Sequence, residues 1–263
     1  MVKADERMTL VEHLVELRKR LFVAVLGLVA AIIVAAVFNS RIFDLLLRPL
    51  PAKLRFITTF SPAEPFMVSV KVWVYAGIIL ASPLLFYEFW AFVGPAFTSG
   101  EKKHIMPVVA ICSLLFIGGV VFGYLIVLPR GLQFLLGWNA GFFNIQNRAQ
   151  DYLTFVAWFL VAFGAVFEMP VIIVAAVRMG IVDVRFLTKN RKYAILINAA
   201  VAAVVTPSQD AFSMLAMFAP LVVFYEVAIV VARVMQKRRA KALAAAGNLP
   251  GEPPHDKTSP TPA

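Results

Sequence analysis

In HLVELRKRLFVAVLGLVAAIIVAAVF, His13–Phe38, five charged or titratable side chains crowd into the first nine residues, and the eighteen residues from Leu21 carry no charge at all. Eighteen residues of helix span about 27 Å, close to the roughly 30 Å core of a bilayer. Backbone amides in hydrocarbon must be satisfied within their own segment, so an uncharged run of this length reads as a spanning helix. A mixed-charge helix therefore stands at the edge of the first span.

The rest of the chain extends that pattern. Hydrophobic residues make up 61% of the 263, and charged residues only 15%. A mean hydropathy of +0.82 lies outside the soluble globular range and makes this an integral membrane protein. Further apolar runs fall at Val68–Trp90, Ile105–Leu128, Tyr152–Val177, Tyr193–Val205 and Ala211–Ala232. The expected fold is all-α, a polytopic bundle of six transmembrane helices. The short alternating segments of a transmembrane barrel are absent, and no internal repeat of the kind that builds many transporters is found.

Three segments are expected: an amphipathic N-terminal helix within 1–20, a six-span domain over 21–233, and a basic tail over 234–263 that becomes too rich in Pro and Gly to fold. The polar residues ahead of the first apolar run, and the length of that run, favour a retained first span over a cleaved signal peptide. Lys and Arg in the loops number 18 on the side of both termini and 6 on the other. The positive-inside rule then puts N- and C-termini in the cytoplasm of a cell-membrane protein.

The formal charge of +10 does not indicate nucleic acid, because the basic residues sit at the ends of apolar runs and form no stripe with interleaved aromatics. Lipid headgroups and topology account for them. The single cysteine, Cys112, lies within an apolar run, which leaves neither a disulfide framework nor a cysteine metal site. No metal, cofactor or catalytic group is expected, and no phosphate loop is present.

Five acidic positions carry the chemistry. Thr9-Leu10-Val11-Glu12 has the spacing of a capping box. A helix from there aligns Leu10, Leu14, Leu17 and Leu21 on one side and pairs Glu16 with Arg20 at i, i+4. Arg18, Lys19 and Arg20 suffice for topology, but topology needs no glutamate or histidine. The loop FVGPAFTSGEKKH, Phe92–His104, carries Glu101 on the same face of the membrane, in a turn shaped by Pro95 and Gly100. Two carboxylates presented together suit a pair of guanidinium groups, which they match bidentately. Within the membrane, Glu168 and Glu226 lie in runs that also hold Pro170 and Pro220. Intramembrane carboxyls are functional by default, and each proline removes a backbone bond and kinks its helix. Asp210, at the tip of the last hairpin, is placed to cap the final helix through Ser213 or to meet a partner.

Taken together, HLVELRKRL, RPLP, TFSPAEPF, PLLFYEFWAFVGPAFTSGEKKH, FGAVFEMPV, KNRKY and TPSQDAFSM resemble the TatC family, the multispanning receptor of the twin-arginine protein translocase, through nearly the whole chain. The resemblance implies a glove-shaped six-span bundle, its last two helices short, that binds Arg-Arg signal peptides of folded cargo. It also implies single-span TatA- and TatB-type partners in an oligomeric complex, with transport driven by the proton gradient. By that resemblance Glu16 and Glu101 form the arginine-pair site, shaped by His13, Arg18, Phe92 and Pro95. Glu168 meets the partner helices beside Pro170, and Asp210 and Met214 lie near the partner contact. The alternative is a proton- or ion-coupled small-solute transporter using Glu168, Glu226 and Lys71 as a relay, which leaves the surface carboxylates without a purpose.

Overall fold

In the computed structural model the described residues are 10–93, 105–138, 146–206 and 210–247. The first helix, α1, runs Leu10–Val37 without interruption, since no proline interrupts its backbone ladder. The charged stretch and the first span are thus one continuous rod. A nine-residue helix, α2 (Asn39–Leu47), and a 3-10 turn at Ala52–Leu54 follow, and α3 covers Glu64–Val93 with Pro83 inside it.

The third apolar run is built from α4 (Ile105–Phe122), a π turn at Gly123–Val127 and α5 (Leu128–Gly137). Pro129 explains the π turn, because it lacks the amide that an α-helix needs there and the ladder widens by one residue. The fourth run divides into α6 (Ala149–Phe167) and α7 (Met169–Arg178), with Glu168 between them and Pro170 in the first turn of α7. Gly180, at φ 75°, closes α7. Its amide bonds Val177 O at 3.1 Å and the next amide bonds Ala176 O at 3.0 Å, a left-handed cap that glycine allows without strain.

After α8 (Val184–Lys189) come α9 (Arg191–Val205) and α10 (Ala211–Gly247). Among the described residues five helical segments are long and apolar enough to cross a membrane: Val11–Val37, Glu64–Val93, Met106–Gly137, Ala149–Arg178 and Ala211–Arg238. The sixth apolar helix, α9, has 15 residues, about 22 Å, so it is short for a span. Its partner α10 is longer, at 37 residues, because the apolar run continues into the helix-favouring basic stretch without a break.

α6 is the axis of the bundle. Leu153, Val156, Phe159 and Phe163 are fully buried, and α3, α4 and α10 all pack on it. Small residues let α4 come close: a β-carbon on Gly119 would stand 2.7 Å from Phe163 O, the close approach that small side chains permit between membrane helices. α1 packs chiefly on α3 and turns Leu26 and Ile33 outward, as a lipid-facing helix does.

The segment between α2 and α3 is tied down at one end of the bundle. Thr58 N donates to Asn147 O and Ala149 N to Thr58 O, both at 2.9 Å, a lone parallel bridge and not a strand. Arg148 Nε bonds Glu64 Oε1 at 2.9 Å, Phe60 N bonds Glu64 Oε2 at 2.9 Å, and the Arg148 guanidinium lies over the Phe60 ring. This ion pair sets the starts of α3 and α6 level.

Candidate functional site

The opposite end is built by the first turns of α1 and the last turns of α3, which run antiparallel. On α1 the residues His13, Glu16 and Arg20 recur at i, i+3 and i+7, so they share a stripe. That stripe is only partly exposed, whereas Leu14, Leu17 and Leu21 are exposed. The polar face of the helix therefore turns toward the bundle and its leucines turn away, the reverse of a soluble amphipathic helix.

The His13 imidazole stacks on the Phe92 ring, centroids 4.4 Å apart. The Arg20 guanidinium bonds Glu16 Oε1 through Nη2 at 2.6 Å and Nε at 2.9 Å. Its remaining arm, Nη1, reaches Glu88 Oε2 at 3.3 Å. Glu16 Oε2 is buried and has no hydrogen-bond partner. One guanidinium thus joins two carboxylates and leaves one strong acceptor unused. A carboxylate in that state binds a further donor strongly, since a buried unmade bond costs about 1–3 kcal/mol.

Of the residues expected to bind a signal peptide, the structure brings together His13, Glu16 and Phe92, with Arg18 exposed on the same helix. Glu101 and Pro95 lie outside the described residues, as does Thr9 of the capping box. Glu88, buried to 9% exposure, is a member of the cluster that sequence reasoning missed. The signal was available: a carboxylate inside the apolar run FYEFW meets the same rule that singles out Glu168.

Glu168 sits at the break between α6 and α7, 6% exposed. Its carboxyl lies against the Cys112 thiol of α4, and Trp90 Nε1 donates to that sulfur at 3.2 Å. Its Oε1 is buried with no hydrogen-bond partner. The break follows from Pro170, which cannot donate to Val166 O and so ends the ladder of α6. At the far hairpin Asp210 Oδ1 accepts from Ser213 N at 2.7 Å, the capping bond that starts α10, and Met214 packs against the main core.

The residues of a membrane relay are not brought together. Glu226 pairs with Arg191 at 2.8 Å, both about half exposed, level with the start of α9. Lys71 lies in the second turn of α3, at the end held by Glu64. Among the described residues no cluster of three metal-ligating side chains occurs.

The comparisons with known proteins agree with one another. A family model described as TatC, Sec-independent protein translocase protein, matches residues 12–220. A Sec-independent protein translocase protein TatC of Desulforapulum autotrophicum is 41% identical over 243 residues, covering 91% of this chain and 89% of the relative. The TatC of Aquifex aeolicus is 34% identical over 238 residues, covering 88% and 98%. A crystal structure of the twin-arginine translocase receptor TatC in detergent superposes with a TM-score of 0.76 at 33% identity, covering 84% of this chain and 99% of that one.

Proposed function

Because this chain belongs to the TatC family, and is therefore a multi-pass, non-enzymatic component of the Sec-independent, twin-arginine protein translocase, we propose that it is the receptor that reads the paired arginines of its cargo. The observation that carries this reading is the Glu16 carboxylate. It already grips a guanidinium at 2.6 Å and 2.9 Å and holds Oε2 in reserve.

An arriving arginine offers five donors in a planar fork and takes that free oxygen, then competes with Arg20 for the other. Glu101 takes the second arginine from the loop that joins α3 to α4. Its neighbours support this, since the loop leaves Val93 one residue after Phe92, which is stacked on His13. The stacked ring pair gives the apolar wall against which an arginine stem lies. Arg18, exposed on α1, and Pro95, in the loop sequence, complete the residues assigned to this site.

The reading sets both termini in the cytoplasm, on the excess of Lys and Arg at that end. It also assigns partner contact to the other polar features. Glu168, with an unsatisfied oxygen beside the break that Pro170 makes, is the dock for a polar group on a single-span TatA- or TatB-type helix. Asp210 and Met214 flank the entry of that helix in the last hairpin. Energy comes from the proton gradient, and assembly into an oligomeric complex supplies the passage.

The test is photocrosslinking in native membranes from a probe at residue 101 to an Arg-Arg signal peptide. Strong crosslinks are expected, and Glu16→Gln should reduce them. Crosslinks that persist unchanged in the Glu16→Gln, Glu101→Gln double variant would overturn the assignment.

A further inference from the structure

Lys71 takes no part in the site above. It lies seven residues into α3 from Glu64, about 10 Å into the bundle, and among the described residues nothing pairs with its ammonium. A lone cation at that depth is costly and marks a binding position by default. It lines a cavity of about 880 Å³ between α3, α5 and α6. Thr154 lines the same cavity, and its hydroxyl oxygen, buried just behind that lining, has no hydrogen-bond partner, so a turn about its side-chain bond would present it to a ligand. Six residues inward of Arg148, Thr154 lies about 9 Å deep, level with Lys71.

The depth of the adjoining bilayer follows from α9. Trp158 Nε1 donates to Val205 O, the last residue of α9, at 2.7 Å. Trp158 is ten residues inward of Arg148, so α9 stops about 15 Å short of the level of the Glu64–Arg148 pair. A helix about 22 Å long beside a core of about 30 Å thins the bilayer around it. Such thinning would bring phosphates of the leaflet at this end toward the depth of Lys71 and Thr154.

We propose that this cavity holds the headgroup of a zwitterionic aminophospholipid from the leaflet at the Glu64 end. The phosphate accepts from the Lys71 ammonium and the Thr154 hydroxyl. The lipid's own ammonium meets Asp151, an exposed cavity residue one turn outward of Thr154 on the same helix face. Arg148 does not compete for the phosphate, because Glu64 holds it. The lining carries Lys71, Arg148 and Asp151, and Glu64, outside it, neutralises Arg148, so Lys71 and Asp151 remain as one charge of each sign, which favours a zwitterion over an anionic lipid. Phe155, Trp158 and Leu135 supply the apolar wall for an acyl chain.

Native mass spectrometry of the full chain in detergent, with lipids added one at a time, tests this. Phosphatidylethanolamine should be retained in preference to phosphatidylglycerol, and diacylglycerol, which has no phosphate, should not be retained. Lys71→Gln should reduce retention about tenfold, the loss of one charge-assisted bond, while Lys71→Arg keeps it and controls for folding. Asp151→Asn should remove the preference for the zwitterion. Equal retention by Lys71→Gln, equal retention of diacylglycerol, a lasting preference for phosphatidylglycerol, or displacement of the lipid by inorganic phosphate would each overturn the proposal.

Discussion

The two ends of this bundle treat their carboxylates differently. At one end Glu64 has a side chain only 2% exposed, and its two oxygens accept from Arg148 and the Phe60 amide. At the other, Glu16 accepts twice through one oxygen while the second has nothing to accept from. The first arrangement locks a loop to the bundle. The second leaves an acceptor unused, at a position where helices α1 and α3 already pack on each other. Buried polar groups are as a rule satisfied, so an unused acceptor asks for an explanation, and the proposed receptor role supplies one for Glu16.

The sharpest way to break this contrast is Glu64→Ala. It removes both acceptors at once and leaves the Arg148 guanidinium and the Phe60 amide without the carboxylate that receives them. The expected result is the largest fall in Tm of the substitutions considered, with faster protease cleavage within residues 48–63. Glu16→Gln should behave in the opposite way. Arg20 keeps Glu88, so the melting temperature should change little, while affinity for an Arg-Arg signal peptide falls about tenfold or more. Tm and peptide titration on both variants check this pair. Equal destabilisation by the two would erase the distinction between the ends.

That contrast was only partly legible in the sequence. The apolar runs, the Glu16–Arg20 pair at i, i+4 and the Asp210 cap on Ser213 are local, and local spacing determines them. Glu64 with Arg148, Glu88 with Arg20 and Glu226 with Arg191 lie 84, 68 and 35 residues apart. Such pairs depend on how each helix is rotated about its axis. A helix that is apolar all round gives no stripe from which that rotation can be read, so α3 and α10 concealed their partners. The split at Glu168 was foreshadowed by Pro170, yet a proline predicts a disturbance of the ladder without its form, and the π turn ahead of Pro129 was not anticipated. Glu101 and Pro95 remain expectations from the sequence pattern.

A finer test concerns Glu88, whose contact with Arg20 at 3.3 Å is longer than those made by Glu16. If Glu88 provides a place for Arg20 when an incoming arginine takes Glu16, then Glu88→Gln leaves Arg20 wholly on Glu16 as a competitor. Peptide binding should weaken about threefold, an effect on the scale of a partly exposed ion pair. Isothermal titration resolves a change of that size. Stronger binding in the variant would instead make Glu88 a rival for the ligand, and Arg20 part of the receptor surface.

The smallest effect is expected at Arg191. Its pair with Glu226 is short, at 2.8 Å, but the two side chains are 46% and 44% exposed, so water and salt screen most of the attraction. The neighbouring contact between α8 and α10 does not depend on it, because the Tyr225 hydroxyl donates to Leu187 O at 2.8 Å. Arg191→Gln should therefore shift stability by no more than about 0.5 kcal/mol, read from the denaturant midpoint in detergent. Glu64–Arg148 has a similar donor–acceptor distance, so distance is held nearly constant between the two pairs while burial of the carboxylate differs. A loss at Arg191 as large as that of Glu64→Ala would mean that burial does not separate structural from dispensable ion pairs in this bundle. A loss near zero attributes the difference to desolvation and to the extra backbone donor that Glu64 alone receives.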